Sequence, residues 1–450
     1  MFQIKAMKRV FIYTVLLLGM VVMAAEELAA QSYIARSEFI VYDRRDDAKH
    51  DTRTNIDKYI AMNPTFLFEE NEGKVNAAYS QTFIVPAEWN DYNAYLHVEN
   101  SGADYTVFVN GKEVATLDQF TPTDLYISPF LLQGENVVAF AVVDEPYMAL
   151  LDESLVQPAR TPFSESYIFA QRRLAIYDFH VRLLPDPVND YAMLDLNVVV
   201  DNSFETEETV SIGYDIYSPE GNLMEYSVNE ITMAPMSRDT LVFKPFIYHS
   251  NVNRWSEKNP QLYSLTLYVK RDGIVREYIP AKVGFAKHGY NDAGQITLFD
   301  QPLQLSRKEY NAAVDRATTE KEIRALKSSG VNCLMPSYPQ PKWFYDICDK
   351  MGVYVIDCAA ISSPTNSDNR DVEGTPANAP WLLDEYLRRV DCMYRRAQNH
   401  VSIIAFRLGN ANSGNGYNMY KAYELLKSYG DSRPIIYEGN DGEWNSDIDL

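Results

Sequence analysis

Hydrophobic and polar residues alternate in short runs up to residue 291. β-branched and aromatic residues fill runs such as Tyr105–Val109 and Val137–Val143, which is typical of strands with one buried face. The dipeptide Asn110-Gly111 after the first of these runs predicts a tight hairpin, because both residues tolerate positive φ. Two facing antiparallel sheets accommodate this many short strands. The pattern predicts a β-sandwich over residues 31–186 and a second one, of the immunoglobulin type, over residues 187–291.

From residue 292 onward, short apolar strands alternate with helical patterns. The helix Lys342–Met351 is closed by Gly352 and followed by the strand Val353–Asp357, and similar units lie on both sides of it. With Gln295–Leu305 counted as the first strand, five strands and four helices fit into the remaining chain. Parallel strands joined by right-handed helical crossovers form a (β/α) barrel, which needs eight such units. The sequence therefore predicts a partial TIM barrel over residues 292–450.

The helix ahead of the strand Val331–Met335 carries its own boundary signals. Thr319 and Glu322 have the spacing of a capping box, and Gly330 follows the last helical residue. We therefore expect this helix to begin at Thr319 and to end before Gly330.

The stretch Asn399–Phe406 is the most informative part of the barrel region. It is a short apolar run of the kind that a strand buried on both faces requires, and it leads into a loop of Asn, Ser and Gly residues from Gly409 to Gly416. Loops at the carboxyl ends of barrel strands carry the functional residues. We expect Asn410 and its neighbours to determine what this barrel can do.

Charge and the N-terminal segment restrict the partners. The chain carries 62 acidic and 41 basic residues, for a net charge of -21, and it has no basic cluster that would bind nucleic acid. The apolar run Val10–Ala25, preceded by basic residues and followed by Leu28-Ala29-Ala30, predicts a cleavable signal peptide over residues 1–30. No other stretch is long and apolar enough to span a bilayer. We expect a secreted protein, either periplasmic or extracellular.

The cysteines and histidines give no metal signature. Three of the four cysteines lie within apolar runs; one pair could form a disulfide in an oxidising compartment, but buried free thiols are the expectation. The cysteine spacings do not match a zinc site, and no two histidines have metal-ligand spacing. We predict no metal and no cofactor.

Five fragments along the chain carry a family resemblance: Phe83–Trp89, Val107–Lys112, Asn259–Tyr263, Asn399–Ile404 and Ser432–Pro434. Together they resemble glycoside hydrolase family 2, the group of β-galactosidases, β-glucuronidases and β-mannosidases. The resemblance implies a jelly-roll sugar-binding-like domain, an immunoglobulin-like domain and a (β/α)8 barrel, in that order. It also implies hydrolysis of β-glycosides with retention, by an acid/base Glu after the fourth barrel strand and a nucleophilic Glu after the seventh.

The site residues depart from what the resemblance implies. The family's acid/base follows an Asn in a Gly-Asn-Glu motif, whereas here Gly409-Asn410 is followed by Ala411. A methyl group cannot donate a proton, and the loss of general acid catalysis typically removes ~10²- to 10⁴-fold of the rate. The nucleophile is expected beyond Leu450. The pocket-lining Arg and His of the family fall on Met335–Tyr338, and its Asp-Glu-Ala-Asn segment reads Asp357–Ala360. We predict no catalytic residue in this chain.

Five side chains remain candidates for carbohydrate binding. Asn410 either donates to a sugar hydroxyl, as the resemblance implies, or caps its own loop. Trp381 is expected near a loop, where an indole can stack on a pyranose. Tyr338 follows the second strand. Asp357 and Glu438 lie at strand ends, where their carboxylates either face a ligand or hold loops through backbone donors.

Three hypotheses follow. The leading one is an exported, catalytically inactive relative of these glycosidases that recognises a β-linked carbohydrate or has a structural role. The second is a hydrolase of the β-galactosidase type with separately supplied or relocated catalytic residues, drawn from Glu309, Asp357 and Glu438. The third is a gene fragment whose open barrel leaves an unpaired strand edge. The sequence determines neither the sugar nor the oligomeric state.

Overall fold

Two β-sandwiches precede a parallel β/α sheet in the computed structural model of the chain. The structure describes residues 33–50, 58–71, 74–99, 101–143, 147–158, 160–184, 192–247 and 252–450. The predicted signal peptide, residues 1–30, lies outside this part of the chain. Among the described residues, no helix has the length and apolar character needed to cross a membrane.

The first sandwich packs two five-stranded sheets face to face. Its sheets have the orders β1-β8-β5-β10-β2 and β3-β4-β9-β6-β7. The strands are β1 (Tyr33–Ile34), β2 (Tyr59–Ala61), β3 (Thr65–Asn71), β4 (Lys74–Val85), β5 (Tyr92–Val98), β6 (Tyr105–Val109), β7 (Lys112–Leu117), β8 (Thr123–Tyr126), β9 (Gly134–Val142) and β10 (Tyr167–Arg172), with a short helix α1 (Arg45–His50). Leu96, Val107 and Phe140 are fully buried between the sheets. Asn110 and Gly111 have positive φ and join β6 to β7, which confirms the predicted hairpin.

The second sandwich has sheets of three and four strands, in the orders β11-β12-β15 and β14-β13-β16-β17. Its strands are β11 (Leu174–Leu183), β12 (Leu194–Asn202), β13 (Glu208–Tyr217), β14 (Leu223–Met233), β15 (Ser237–Phe243), β16 (Tyr263–Arg271) and β17 (Ile274–Val283). Pairing with β12 places β11 in this sandwich, whereas the predicted division between residues 186 and 187 comes after β11 and lies outside the described residues. The alternating pattern of β11 is compatible with either sandwich. Its pairing with β12 determines that it belongs to the second.

A small antiparallel sheet links the second sandwich to the barrel region. It contains β18 (His288–Tyr290), β19 (Ile296–Leu298) and β20 (Gln301–Pro302). The prediction that Gln295–Leu305 is the first barrel strand is therefore wrong. Phe299 and Asp300 both have positive φ, and this turn folds the run back on itself as a hairpin.

The barrel region contains five adjacent parallel strands and four helices, the predicted numbers, although its first strand is Arg307–Glu309 and not Gln295–Leu305. The strands, in sheet order, are β21 (Arg307–Glu309), β22 (Cys333–Met335), β23 (Tyr354–Cys358), β24 (Ile403–Arg407) and β25 (Ile435–Ile436). The helices are α2 (Arg316–Ser328), α3 (Lys342–Met351), α4 (Leu383–Ala397) and α5 (Tyr417–Ser428). Val355 and Phe406 pack towards the helices, whereas Ile356 and Ile404 pack on the opposite face of the sheet. The predicted fold class of two sandwiches and a partial TIM barrel is confirmed.

Helix α2 begins three residues before the predicted capping box. Asp315 is its N-cap, and the Asp315 carboxylate accepts a hydrogen bond from the backbone N–H of Thr318 at 2.9 Å. Thr319 lies inside the helix and is buried, so the expected Thr319 cap is wrong. An ionised carboxylate at the N-cap also interacts favourably with the helix dipole, which accounts for the earlier start.

Gly352 connects α3 to β23 in a conformation that a larger residue cannot adopt freely. Its φ is +66°, and a Cβ at this position would lie 2.6 Å from the carbonyl oxygen of Glu257. We expect Gly352→Ala to lower the free energy of unfolding by about 2 kcal/mol or more, from left-handed strain together with the backbone collision. Urea unfolding followed by circular dichroism measures this change.

The matched control for this variant is Gly430→Ala. Gly430 follows α5 with a φ of +64°, but a Cβ there would meet nothing within 4 Å. Gly430→Ala should therefore lower the free energy of unfolding only by the cost of the left-handed conformation, about 1 kcal/mol. Equal losses in the two variants would contradict the proposed collision with Glu257.

Candidate functional site

The carboxyl ends of the five parallel strands form one edge of the barrel sheet, and Arg407 lies at its centre. Arg407 is the last residue of β24 and is buried, with 3% of its surface exposed. Its Nη2 donates a hydrogen bond to the carbonyl oxygen of Pro336 at 2.7 Å. Its Nη1 lies 3.4 Å from a carboxylate oxygen of Glu309 and 3.7 Å from one of Glu438. The guanidinium thus links the ends of β21, β22, β24 and β25.

The electrostatics of this edge keep Arg407 charged. Burial opposes the charged form, but Cys358, Glu309 and Glu438 together raise the pKa of Arg407. Its buried Nε makes no hydrogen bond to the part of the chain that the structure describes. Arginine retains its protons at any physiological pH. The central side chain can therefore donate hydrogen bonds but cannot exchange a proton with a bound molecule.

The loop after β24 carries Asn410 and is fixed to the neighbouring segment. The backbone N–H of Asn410 donates to the carbonyl oxygen of Ile361 at 2.8 Å, and the hydroxyl of Ser413 donates to the same oxygen at 3.1 Å. The side-chain oxygen of Asn410 lies 3.9 Å from the Cys358 thiol, and the residue is half-buried. Ala411 is exposed, so the position after Asn410 presents a methyl group.

Asp357 does not reach this edge. It is fully buried, and one carboxylate oxygen accepts a hydrogen bond from the hydroxyl of Tyr345 in α3 at 2.8 Å. Burial raises the pKa of Asp357 to about 7, although this hydrogen bond opposes the shift. Successive side chains of a strand point to opposite faces, so Asp357 points towards the helices and its neighbour Cys358 to the other face. The structure does not support Asp357 as a carbohydrate contact.

Tyr338 was predicted to bind carbohydrate, but the structure places it in a packing contact. It is buried, its hydroxyl donates to the carbonyl oxygen of Val156 at 3.3 Å, and its ring meets Phe120 edge-on at 5.0 Å. Burial raises the pKa of Tyr338 to about 12. Because Phe120 and Val156 lie in the N-terminal part of the chain, Tyr338 packs the barrel region against the first sandwich.

Trp381 and Glu438 remain accessible to a ligand, but at different places. Trp381 is 54% exposed and contacts Tyr147 edge-on, with ring centroids 6.2 Å apart. Glu438 is exposed and belongs to the Arg407 cluster. Of the five candidates, the structure groups Asn410 and Glu438 around one barrel edge. Arg407 was not among the residues predicted from the sequence, although a lone cation at the end of an apolar strand was a usable signal.

All four cysteines are free and buried, as expected. Two groups of histidine and carboxylate side chains bring potential ligand atoms within 4.8 Å of one another: Glu38, His97 and Glu99, and Asp346, Asp349 and His400. In both groups the side chains already pair with one another or with cations. Arg396 contacts Glu38 and Glu99, and Lys342 contacts Asp346. We interpret both groups as ion-pair networks.

The order of the domains, with polar residues gathered at the carboxyl edge of a parallel β/α sheet, defines a multidomain glycosidase-like protein. The chain belongs to glycosyl hydrolases family 2. The family's sugar binding domain matches residues 33–170 and its TIM barrel domain matches residues 307–449. A further model, described as glycosyl hydrolases family 2, matches residues 174–285.

Curated relatives of the chain include two bacterial β-galactosidases. The enzyme of Streptococcus thermophilus is 28% identical over 394 residues, which cover 82% of this chain and 36% of the relative. The enzyme of Priestia megaterium is 28% identical over 382 residues, which cover 80% of this chain and 36% of the relative. The chain thus matches about a third of the length of these relatives.

Solved structures share the fold at lower identity. A β-glucuronidase of Bacteroides uniformis superposes with a TM-score of 0.64 at 17% identity, covering 80% of this chain and 46% of that one. A β-D-glucuronidase of Dictyoglomus thermophilum gives a TM-score of 0.65 at 17% identity, covering 84% and 72%. These similarities establish the fold alone.

Proposed function

We propose that the chain is a catalytically inactive family 2 glycosidase relative that recognises a β-linked carbohydrate. The observation that carries the proposal is the barrel edge itself. Ala411 follows Asn410 where the family resemblance implies the acid/base Glu, and the Arg407 guanidinium lies at the centre of the same edge. A group that protonates a leaving oxygen must be able to give up a proton, and neither of these side chains can.

Two findings support a carbohydrate as the ligand. The first sandwich matches the family's sugar binding domain, and the curated relatives named above are β-galactosidases. Export of the protein is part of the proposal and rests on the signal-peptide pattern over residues 1–30. Amino-terminal sequencing of the protein recovered outside the cytoplasm tests it, with Gln31 expected as the first residue.

One observation favours the rival, a hydrolase with relocated carboxylates. Glu309 and Glu438 approach the same nitrogen of Arg407 from two strands, so two carboxylates lie near each other at this edge. Retaining and inverting glycosidases both use a pair of carboxyl groups for catalysis. The two proposals therefore differ in a measurable quantity, the turnover of an aryl glycoside.

We expect purified mature chain to hydrolyse 4-nitrophenyl β-galactoside and 4-nitrophenyl β-glucuronide no faster than its Glu438→Gln variant. The physical reason is the missing proton donor beside Asn410. Release of nitrophenol is the measurement, and Glu424→Gln, which changes an exposed carboxylate on α5, is the matched control. Turnover that persists in Glu424→Gln and disappears in Glu438→Gln would establish the rival. Calorimetric titration with β-1,4-galactotetraose tests recognition.

A further inference from the structure

A large cleft lies between the two sandwiches, away from the barrel edge. Its volume is about 880 Å³, and its walls include Tyr92 and Tyr126 from the first sandwich, and Tyr177, Asp201 and Arg238 from the second sandwich. None of the barrel-edge residues described above lines it. The volume lies within the range of small-molecule sites, which is roughly 300–1,000 Å³.

The polar side chains of the cleft are already ordered by one another. The side-chain amide of Asn93 donates to the hydroxyl of Ser203 at 2.9 Å, and that hydroxyl donates to the Asp201 carboxylate. The guanidinium of Arg238 donates to the other oxygen of Asp201 at 2.6 Å and lies 3.6 Å above the ring of Tyr177. Because these groups hold one another in place through hydrogen bonds, binding would require little reorganisation.

The aromatic side chains supply further hydrogen-bonding groups and apolar surface. The hydroxyls of Tyr92 and Tyr177 form no hydrogen bond with any residue that the structure describes. Leu132 and Met236, which also line the cleft, are 61% and 68% exposed. The cleft thus combines tyrosine rings, exposed apolar side chains and amide, carboxylate and guanidinium groups. A sugar presents the same mixture, since its C–H face is apolar and its rim carries hydroxyls.

We propose that this cleft between the sandwiches binds a short oligosaccharide. This inference rests on the proposed function and assigns carbohydrate recognition to the cleft instead of the barrel edge. Asp201 and Arg238 offer paired acceptors and donors to neighbouring hydroxyls, and the tyrosine rings bound the space in which pyranose rings lie. Residues of both sandwiches are needed, so the site exists only where the two domains meet.

Calorimetric titration of the mature chain with β-1,4-galactotetraose tests the inference. Tyr177→Phe removes one hydroxyl and keeps the ring beneath Arg238, and we expect it to weaken binding about three- to tenfold, as the loss of one hydrogen bond does. Asp201→Asn should weaken binding by at least as much. The matched control is Tyr226→Phe, on β14, because Tyr226 is 66% exposed and lies outside the cleft. Urea unfolding of each variant confirms that it is folded.

The outcomes separate this inference from the proposed function. Weaker binding in Tyr177→Phe and Asp201→Asn, with unchanged binding in Tyr226→Phe and Glu438→Gln, supports the cleft. Binding that both cleft variants retain and Glu438→Gln loses would overturn the cleft and leave carbohydrate recognition at the barrel edge. No heat of binding to the tetrasaccharide in the unsubstituted chain would overturn both.

Discussion

Replacing Arg389 by methionine is expected to lower the free energy of unfolding by about 3–5 kcal/mol, because removing one partner of a buried ion pair leaves the other charge unpaired. Arg389 lies on α4 and is fully buried. Its guanidinium donates to Glu385 at 2.7 Å, to Asp152 and to the carbonyl oxygen of Met148 at 3.1 Å. Methionine has a similar volume and should leave little cavity. The loss of stability therefore measures mainly the cost of leaving buried carboxylates without their cation.

The carboxylates around Arg389 show why it is needed. Asp118 is buried, yet Arg389 and Arg388 overcome the effect of burial and lower the pKa of Asp118. Asp152 is the opposite case, because burial outweighs Arg389 and raises the pKa of Asp152 to about 7. Without Arg389, Asp118 and Glu385 would share Arg388, and Asp152 would lose the cation with which it pairs. The first sandwich and the barrel region would lose one of the buried ion pairs that join them.

Urea unfolding at pH 7 measures this effect, and Arg395→Met on the same helix is the control. The Arg395 side chain is partly exposed and pairs with Asp391 one turn away at 3.1 Å. Exposed pairs of this kind contribute about 0.3–0.5 kcal/mol. If Arg389→Met lowered the free energy of unfolding no more than Arg395→Met does, the buried ion pairs of Arg389 would have no role in stability.

Stability is expected to fall as the pH rises from about 6.5 to about 10, because His97 loses its proton. His97 lies between two carboxylates, with Nδ1 2.7 Å from Asp124 and Nε2 3.0 Å from Glu99. Burial alone would lower its pKa, but the hydrogen bonds to these carboxylates reverse the effect and raise the pKa of His97 to about 10. Both ring nitrogens then carry protons in the folded protein.

The sign of the effect follows from linkage. A group whose folded pKa lies above its unfolded value of 6.5 stabilises the fold fully below pH 6.5, and this contribution disappears as the pH rises through the folded value. The shift corresponds to roughly 3–5 kcal/mol. His180 and His288 are shifted the other way, with pKa values lowered to about 4 by burial. Their effect falls below pH 6.5, outside the window of His97.

Urea unfolding at intervals from pH 6 to pH 10 checks this prediction. His97→Gln keeps hydrogen-bonding capacity but cannot titrate, so it should be less stable than the unsubstituted chain at pH 6 and nearly equal to it at pH 10. Groups that do not contact His97 contribute equally to both proteins and cancel in the difference, whereas the pKa values of Asp124 and Glu99, which His97 lowers, rise in the variant. A difference that stays constant with pH would show that His97 is neutral in the folded state.

The sequence alone determined the order of domains and most elements of the barrel region. Helix Lys342–Met351 and its closing Gly352 were predicted to the residue, because helical periodicity and a left-handed C-cap are local properties. The strand predicted within Asn399–Phe406 is present as Ile403–Arg407, and residues 399–402 form the turn before it. The sequence also shows directly that Ala411 follows Asn410, at the position where the family resemblance implies a Glu.

Tertiary structure decided how the predicted parts are used. Gln295–Leu305 has the composition of a barrel strand but forms a hairpin, and Leu174–Leu183 belongs to the second sandwich through its partner β12. Asp357 and Arg407 both lie at the carboxyl ends of parallel strands, yet Asp357 faces the helices and Arg407 holds the barrel edge. The cleft is made by residues more than a hundred positions apart. Strand pairing, side-chain facing and domain contact depend on residues distant in sequence, so local patterns could not determine them.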